Sequence, residues 1–571
     1  MLTLLSLSLF SLPAMAETNP PDAIISNAVV ADIPPDGFDT ITAIIPNLIP
    51  LDIPVDDQYF EGGLGWGCVV DVWFDISNIK IDAAVADASI TPQDGYLDFS
   101  VTLAVAINDA NDPFNLDYEL TCIEYNCNAY VDPFEVVVSS KVYLNIIDMD
   151  GDGINDLDAY FQDFDFDYSD FDGQDINIED CALGTFEDVL NVFNWSIFDL
   201  LIGAIGPGLE SGIQDALPDI EAAFEDAFAQ ATIQQTVDLA GTPLDLTIAP
   251  ADIVIKPEGL RLMLDASATT PEGSACVASY DPLGSKATPS SLMPIGYLPP
   301  GISNASLAAT VDDDFVNQAL YSIWRSGILC FTVDSNTLGS FTIDTSLLGL
   351  LTGGSFDDMF PEAKPMIIKT EPKEPLSLNV NTAADVAIDV KELGLGIYVE
   401  IDGRSSRLLN VDLATDVGVN IPFDNTTGAL SVNIDLDTDR VTPTVSYNEF
   451  RPDANAEIEA SFAGQLDTIL GFVDIEGLLG DLSFTLPSLN GVGLVSLDFA
   501  ATGENAEDLG AFAALGEVPY ESTGCGEGGC GGSSGDSGCS GGGCSTNGRP
   551  NSRTALLSFV LIFSLLRRRT K

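Results

Sequence analysis

The chain has 571 residues, enough for two or three domains with real cores, and its 46% apolar against 19% charged content marks it as mostly globular. Its 88 acidic against 20 basic residues give a net charge of −68, which excludes nucleic acid, a partner that needs clustered Lys and Arg. It has no histidine, which removes Ser-His-Asp and Cys-His catalysis and His-ligated zinc together.

In chain order, residues 1–16 are apolar and end in Ala14-Met15-Ala16, the small-residue pattern of a secretory cleavage site, so the body reads as exported. Strand signals begin at Asp71. Leu97, Phe99, Val101, Leu103, Val105 and Ile107 alternate with Asp98, Ser100 and Thr102, the pattern of a strand buried on one face. The turn chemistry of Pro92-Gln93-Asp94-Gly95 joins it to a strand at Ile79–Ser89, and Val136–Ile147 continues the sheet.

An acidic loop follows, from Asp148 to Asp156. It offers Asp148, Asp150, Asp152 and Asp156 at loop positions 1, 3, 5 and 9, Gly153 at position 6, and the carbonyl of Ile154 at position 7. Hard oxygen donors at this spacing suit Ca²⁺ as a structural clip between strands. Position 12, where a bidentate acid is usual, is Ala159, so Asp158 or Asp163 has to substitute. Beyond it Asp163, Asp165 and Asp167 alternate with Phe164, Phe166 and Tyr168, a strand with its rings inward.

Between Trp195 and Phe228 the period changes. Ile197, Leu201, Ile205, Leu209, Ile213, Leu217, Ile220 and Phe224 fall at steps of three and four, one apolar stripe on a long amphipathic helix. Gly206-Pro207-Gly208 and Pro218 divide it into pieces. Such a stripe either fills an ordinary core or lines a groove for a ligand. Strand signals resume at Leu244–Ile255.

The second half repeats this logic. Asp312-Asp313-Asp314 supplies an N-cap, and Phe315, Val316, Ala319, Leu320, Ile323 and Trp324 a helix face. Strands are predicted at Ile328–Val333, Leu376–Val380, Val386–Val390, Ile397–Ile401, Ala429–Ile434, Val441–Tyr447 and Leu494–Phe499, with a helical patch at Leu466–Leu479. Residues 516–553 form a Gly/Ser-rich linker containing Cys544. Ala555–Leu566 is apolar and Arg567-Arg568-Arg569 closes it; at about 18 Å this segment is short for a bilayer, which takes roughly 20 helical residues.

Export makes disulfides the expected state of Cys68, Cys122, Cys127, Cys181, Cys276 and Cys330. Sequence does not choose among their connectivities. One arrangement closes a small hairpin with Cys122–Cys127 and leaves Cys276–Cys330 and Cys68–Cys181 each within one half.

Two resemblances bear on these residues. Gly543-Cys544-Ser545, Ala555–Leu566 and Arg567–Arg569 resemble the myxobacterial type of tripartite sorting tail, which implies cutting near Cys544 and retention on the cell envelope. Asp313–Val333, Asp357–Ile397 and Phe484–Phe499 resemble, in order, segments of the second barrel of the bactericidal/permeability-increasing and lipopolysaccharide-binding protein family. The Asn78–Ile107 hairpin and the Ile197–Phe228 helix are similar to its first barrel. That family implies an α+β fold: two highly twisted antiparallel-sheet barrels wrapped on long amphipathic helices, end to end, with apolar pockets for acyl chains. This chain lacks the basic tip by which antibacterial members meet lipid phosphate.

The expected divisions are thus a signal peptide at 1–16, barrels at 17–255 and 256–515, the linker at 516–553 and a sorting or anchor helix at 554–571. The expected function is lipid binding or transfer by an exported non-enzyme, lined by the stripe residues. The alternatives are a calcium-stabilised acidic adhesion protein and a carboxylate hydrolase, for which no acid pair stands out.

Overall fold

The computed structural model describes residues 24–42, 52–53, 58–63, 71–120, 123–148, 151, 153–169, 171, 175–179, 232–239, 242–270, 273–277, 292–334, 343–380, 385–431, 433–470, 483–485, 492–503 and 506–518. They form mostly antiparallel sheet, with two strongly curled sheets flanking a shared one.

The first half is organised around one strand of 25 residues, Ile123–Ile147. Leu97–Ile107 and Phe114–Leu120 run along one edge of it, and Asp156–Asp167 and Ile176–Glu179 along the other. Ile81–Pro92 then Asp52–Ile53 extend the sheet beyond Leu97–Ile107; Asp71–Ser77 then Gln58–Gly63 extend it beyond Phe114–Leu120. Leu97–Ile107 alternates as the sequence predicts, with every second residue buried. The predicted strand Val136–Ile147 is the second half of this longer one, and Pro133 lies just before it. In the sheet Pro133 falls where the register slips between Val105 and Ile107, a place where a missing N–H breaks no ladder bond.

The shared sheet has seven strands in the order Ile233–Leu239, Thr242–Lys256, Gly259–Thr269, Ile25–Ile33, Leu307–Val311, Asp508–Glu517, Val492–Thr502. Its middle is the antiparallel pair Ile25–Ile33 and Leu307–Val311, with Ala31 opposite Ala309. The two halves are therefore joined by backbone hydrogen bonds. At its first-half end, the Pro92–Tyr96 turn docks on this sheet, Gly95 N–H donating to Ile255 O at 3.0 Å.

The second half carries a seven-stranded sheet built on the hairpin Val386–Ile401 and Arg404–Asn420. Two expectations are corrected here. The predicted strands Val386–Val390 and Ile397–Ile401 are one continuous strand. Its partner Arg404–Asn420 was not predicted, although Asp402-Gly403, both at positive φ (51° and 73°), is the Asp-Gly turn that announces a hairpin. A third correction is local: of the predicted strand Ile328–Val333 only Thr332–Val333 is paired, the residues before it being turn and irregular, because Gly327 ends the preceding helix in a left-handed cap.

Among the described residues the longest helices are Asn455–Leu470 and Asp313–Ser326, of 16 and 14 residues. The first begins well before the predicted Leu466 start, after Pro452-Asp453-Ala454, and residues 471–479 of that patch lie outside the described set. The second follows its predicted cap: the Asp312 carboxylate accepts the Asp314 N–H at 2.8 Å. It buries Phe315 and Ala319 in the main core and donates Trp324 Nε1–H to Pro372 O at 3.0 Å. A separate core under the second sheet joins Ile343, Leu348 and Phe356 to Ile458 and Phe462. The long stripe helix, residues 195–228, lies outside the described residues, as do the predicted signal segment and tail. No helix among the described residues is long and apolar enough to cross a membrane.

Candidate functional site

Three features of the described molecule bear on function. The first is the apolar face of the nine-stranded sheet. Leu97, Phe99, Val101, Leu103, Val105 and Ile107 share one face with Val136, Val138, Val142 and Leu144 of the long strand, all buried. Phe99 meets Phe161 edge-on at 5.5 Å, and Phe134 stacks on Phe171 at 4.5 Å. This face is what an amphipathic helix would cover. The predicted lining residues Ile197, Leu201, Ile205, Leu209, Ile213, Leu217, Ile220 and Phe224 lie outside the described residues.

A recess on the shared sheet is lined by Val30, Arg261, Tyr297, Thr310, Asp508 and Phe512. It holds about 20 Å³, room for one water and not for an acyl chain. Its floor is polar. Arg261 grips Asp32 with Nε and Nη2, at 2.7 and 2.6 Å, and also donates to Met293 O at 2.6 Å.

The second feature is the Asp148 loop, which connects Ile123–Ile147 to Asp156–Asp167. The Asp148 carboxylate accepts the Gly151 N–H at 2.7 Å and the Gly153 N–H at 3.0 Å, so the loop closes on its first acid. Gly151 and Gly153 have φ of 78° and 88°, the left-handed backbone that the position-6 glycine supplies in this motif. Ala159 is 2% exposed and points into the core, so position 12 gives no ligand. Asp163 is removed as its substitute: it lies at the register slip beside Ser139 and Lys141, far down the strand, and pairs with Lys141 at 2.7 Å. Asp158, opposite Asn145, is the nearer acid. Asp150 and Asp152 lie outside the described residues. Asp163, Asp165 and Asp167 are exposed while Phe164, Phe166 and Tyr168 pack against the core, as their alternation predicts.

The third feature was not legible in the sequence beyond its capping role. Asp312, Asp313 and Asp314 bring carboxylate oxygens within 4.8 Å of one another. Asp508, from a strand nearly two hundred residues on, joins them, accepting the Asp313 N–H at 3.4 Å. Burial, then the charges of Asp314, Asp312, Asp508 and Glu507, push the Asp313 carboxyl up to about 7. A helix N-terminus favours acids, but four together oppose one another.

Of the cysteines, Cys276 and Cys330 are bonded, with Cα atoms 6.4 Å apart. Cys127 is also bonded, to a residue outside the described set. The pairing Cys122–Cys127 is corrected: Ile123 to Cys127 is extended strand, about 13 Å at 3.3 Å per residue, and a disulfide needs Cα atoms within about 7 Å. Cys68, Cys181 and Cys544 lie outside the described residues.

No family model matches the chain, and no curated protein matches it. Among solved structures, the crystal structure of lipopolysaccharide binding protein is similar over 86% of this chain and 99% of its own, at 13% identity and a TM-score of 0.49. The crystal structure of P47 of Clostridium botulinum E1 is similar over 86% of this chain and 100% of its own, at 8% identity and a TM-score of 0.24. The chain is similar to these two over most of its length and differs from both at most positions.

Proposed function

We propose that the protein binds lipid, holding acyl chains between the apolar face of the nine-stranded sheet and the stripe Ile197–Phe224. The observation that carries this reading is the face itself: a curled sheet with one continuous apolar side, in a chain whose sequence also carries the apolar stripe Ile197–Phe224 at steps of three and four. A tube lined in this way stabilises hydrocarbon by about 0.8 kcal/mol per buried CH₂. With a net charge of −68 and no basic tip, neutral or zwitterionic lipid suits it better than anionic lipid. In this reading the chain is exported behind residues 1–16, acts without catalysis, and is held at the cell envelope through the Cys544 tail. The two barrels are residues 17–255 and 256–515. Calcium in the Asp148 loop braces the hairpin and takes no part in cargo binding.

Native mass spectrometry of the exported body after mild extraction, followed by lipid analysis of the same sample, tests this. Co-purified lipid is expected; a clean apo mass overturns it. The Asp148 loop and the acidity favour a second reading, a calcium-braced adhesion protein. That reading expects loss of surface attachment in chelator with no bound lipid.

A further inference from the structure

We propose that Lys373 and Asp412 condense to an isopeptide bond that staples the strand Met366–Pro372 to Arg404–Asn420 across the strand between them, with Glu392 carrying a proton. The three groups come from three neighbouring strands of the second sheet. Lys373 directly follows Met366–Pro372, and its N–H donates to Glu392 O at 2.9 Å, so it continues the pairing of that strand with Val386–Ile401. Asp412 lies on the other side of Val386–Ile401, opposite Gly394. The glycine leaves the path between them open: a Cβ at 394 would meet Asp412 Oδ1 at 3.2 Å and Lys373 Cε at 3.3 Å. Lys373 Nζ reaches over it and donates to Asp412 Oδ2 at 2.5 Å and to Glu392 Oε1 at 2.7 Å.

An ion pair needs only the first of these two contacts. The surroundings of Asp412 supply more. Asn410, fully buried, donates Nδ2–H to Asp412 Oδ1 at 2.6 Å. Its own Oδ1 accepts from Arg407 Nη2 at 2.5 Å, which fixes the way the amide faces. The Asp412 side chain is 11% exposed. One carboxylate oxygen thus rests on a fixed donor of the kind that stabilises an oxyanion, while the other touches the amine.

The Lys373 ammonium carries three protons, and each has a destination. One moves to Asp412 Oδ2, leaving a neutral amine beside a neutral carboxylic acid. The Nζ lone pair then attacks Asp412 Cγ, and the negative charge that develops on Oδ1 is held by the Asn410 N–H. Glu392 takes a second proton from Nζ and delivers it to Oδ2, which leaves as water when its bond to Cγ breaks. The third proton stays on the new amide. Nothing is oxidised or reduced, and no other reactant is consumed. Burial disfavours the ammonium, but the hydrogen bonds and charges of Asp412 and Glu392 outweigh it and hold the amine above its ordinary value. The attacking form is therefore a minor one and the bond forms slowly. Contact between the reacting atoms compensates, since well-oriented intramolecular reactions reach effective molarities of about 10⁵–10⁸ M. The bond is independent of lipid binding, and either can fail without the other.

Tryptic peptide mapping of the full purified protein after reduction tests this. Residues 370–391, uncut at Lys373, should appear joined to residues 408–440 at the sum of the two masses less one water. A peptide ending at Lys373 together with residues 408–440 at their own full mass, and no joined species, overturns the proposal. In Glu392→Gln the joined fraction should fall at least about tenfold at equal times after synthesis, and an unchanged fraction overturns the proton step. Lys373→Arg keeps a cation between the two acids and cannot form the amide, so it should fold like the parent and show no joined species. A link from residues 408–440 to any other part of that variant overturns the pairing.

Discussion

Arg261 and Asp32 face each other across adjoining strands of the shared sheet, joined by two hydrogen bonds and nearly sealed from solvent, their side chains 10% and 13% exposed. A fork of this kind fixes register, and its strength shows when one side is removed. Asp32→Ala leaves a guanidinium buried with only the Met293 carbonyl, and should cost about 3–5 kcal/mol. Asp32→Ala combined with Arg261→Met should recover most of that loss. Urea unfolding of the three variants measures it; an additive double mutant would show that the pair is not coupled.

The Asp313 carboxyl is raised to about 7 from 3.8. A carboxylate whose folded value is raised binds its proton more tightly in the native state, so between these two values stability increases as pH falls. Its destabilising effect is complete above pH 7 and vanishes near pH 4. Asp313→Asn should therefore raise Tm by a few degrees at pH 8 and by progressively less toward pH 4. An offset between the two melting profiles that does not change with pH counts against the assignment.

Calcium at 100 times its dissociation constant should stabilise the body by about 2.7 kcal/mol if it binds only the folded loop. Asp148→Ala and Asp156→Ala should each abolish the calcium-dependent rise in Tm. Asp163→Asn should leave it intact, since Asp163 is committed to Lys141. Differential scanning calorimetry with calcium and with chelator reads all three.

Stripe residues are expected to matter for cargo more than for stability. Ile205→Asp and Leu209→Asp put a charge where hydrocarbon should lie, and each should cut co-purified lipid at least tenfold. Quantitative lipid analysis against the unchanged protein decides it; equal loading in both variants removes the stripe from the site.

Much of this architecture is written locally. The alternation from Leu97 to Ile107, the Asp312 cap and the Asp148 loop were each readable because a short-range period or spacing causes them. Three things were not. The strand Arg404–Asn420 mixes inward Leu409 and Val411 with Arg407, Asn410 and Asp412, which form a polar network on the other face with Lys373 and Glu371. That face disguises its alternation. Gly394 and Gly396 interrupt the apolar pattern of the facing strand Val386–Ile401 in the same way; a Cβ on Gly394 would meet Glu371 O at 3.1 Å and Asp412 Oδ1 at 3.2 Å. The approach of Asp508 to Asp313 depends on strand order across about a third of the chain, and no local signal encodes it. Nor does cysteine spacing reveal that four residues of extended strand keep Cys122 from Cys127.

The pairing of Ile25–Ile33 with Leu307–Val311, and of the latter with Asp508–Glu517, sets a timetable for assembly. Synthesis delivers the first of these strands hundreds of residues before the last. Until residue 517 has emerged, Leu307–Val311 presents an open row of amides to any neighbouring chain. Contacts so distant in sequence close slowly, so this edge stays open to other copies of the chain for as long as Asp508–Glu517 takes to arrive.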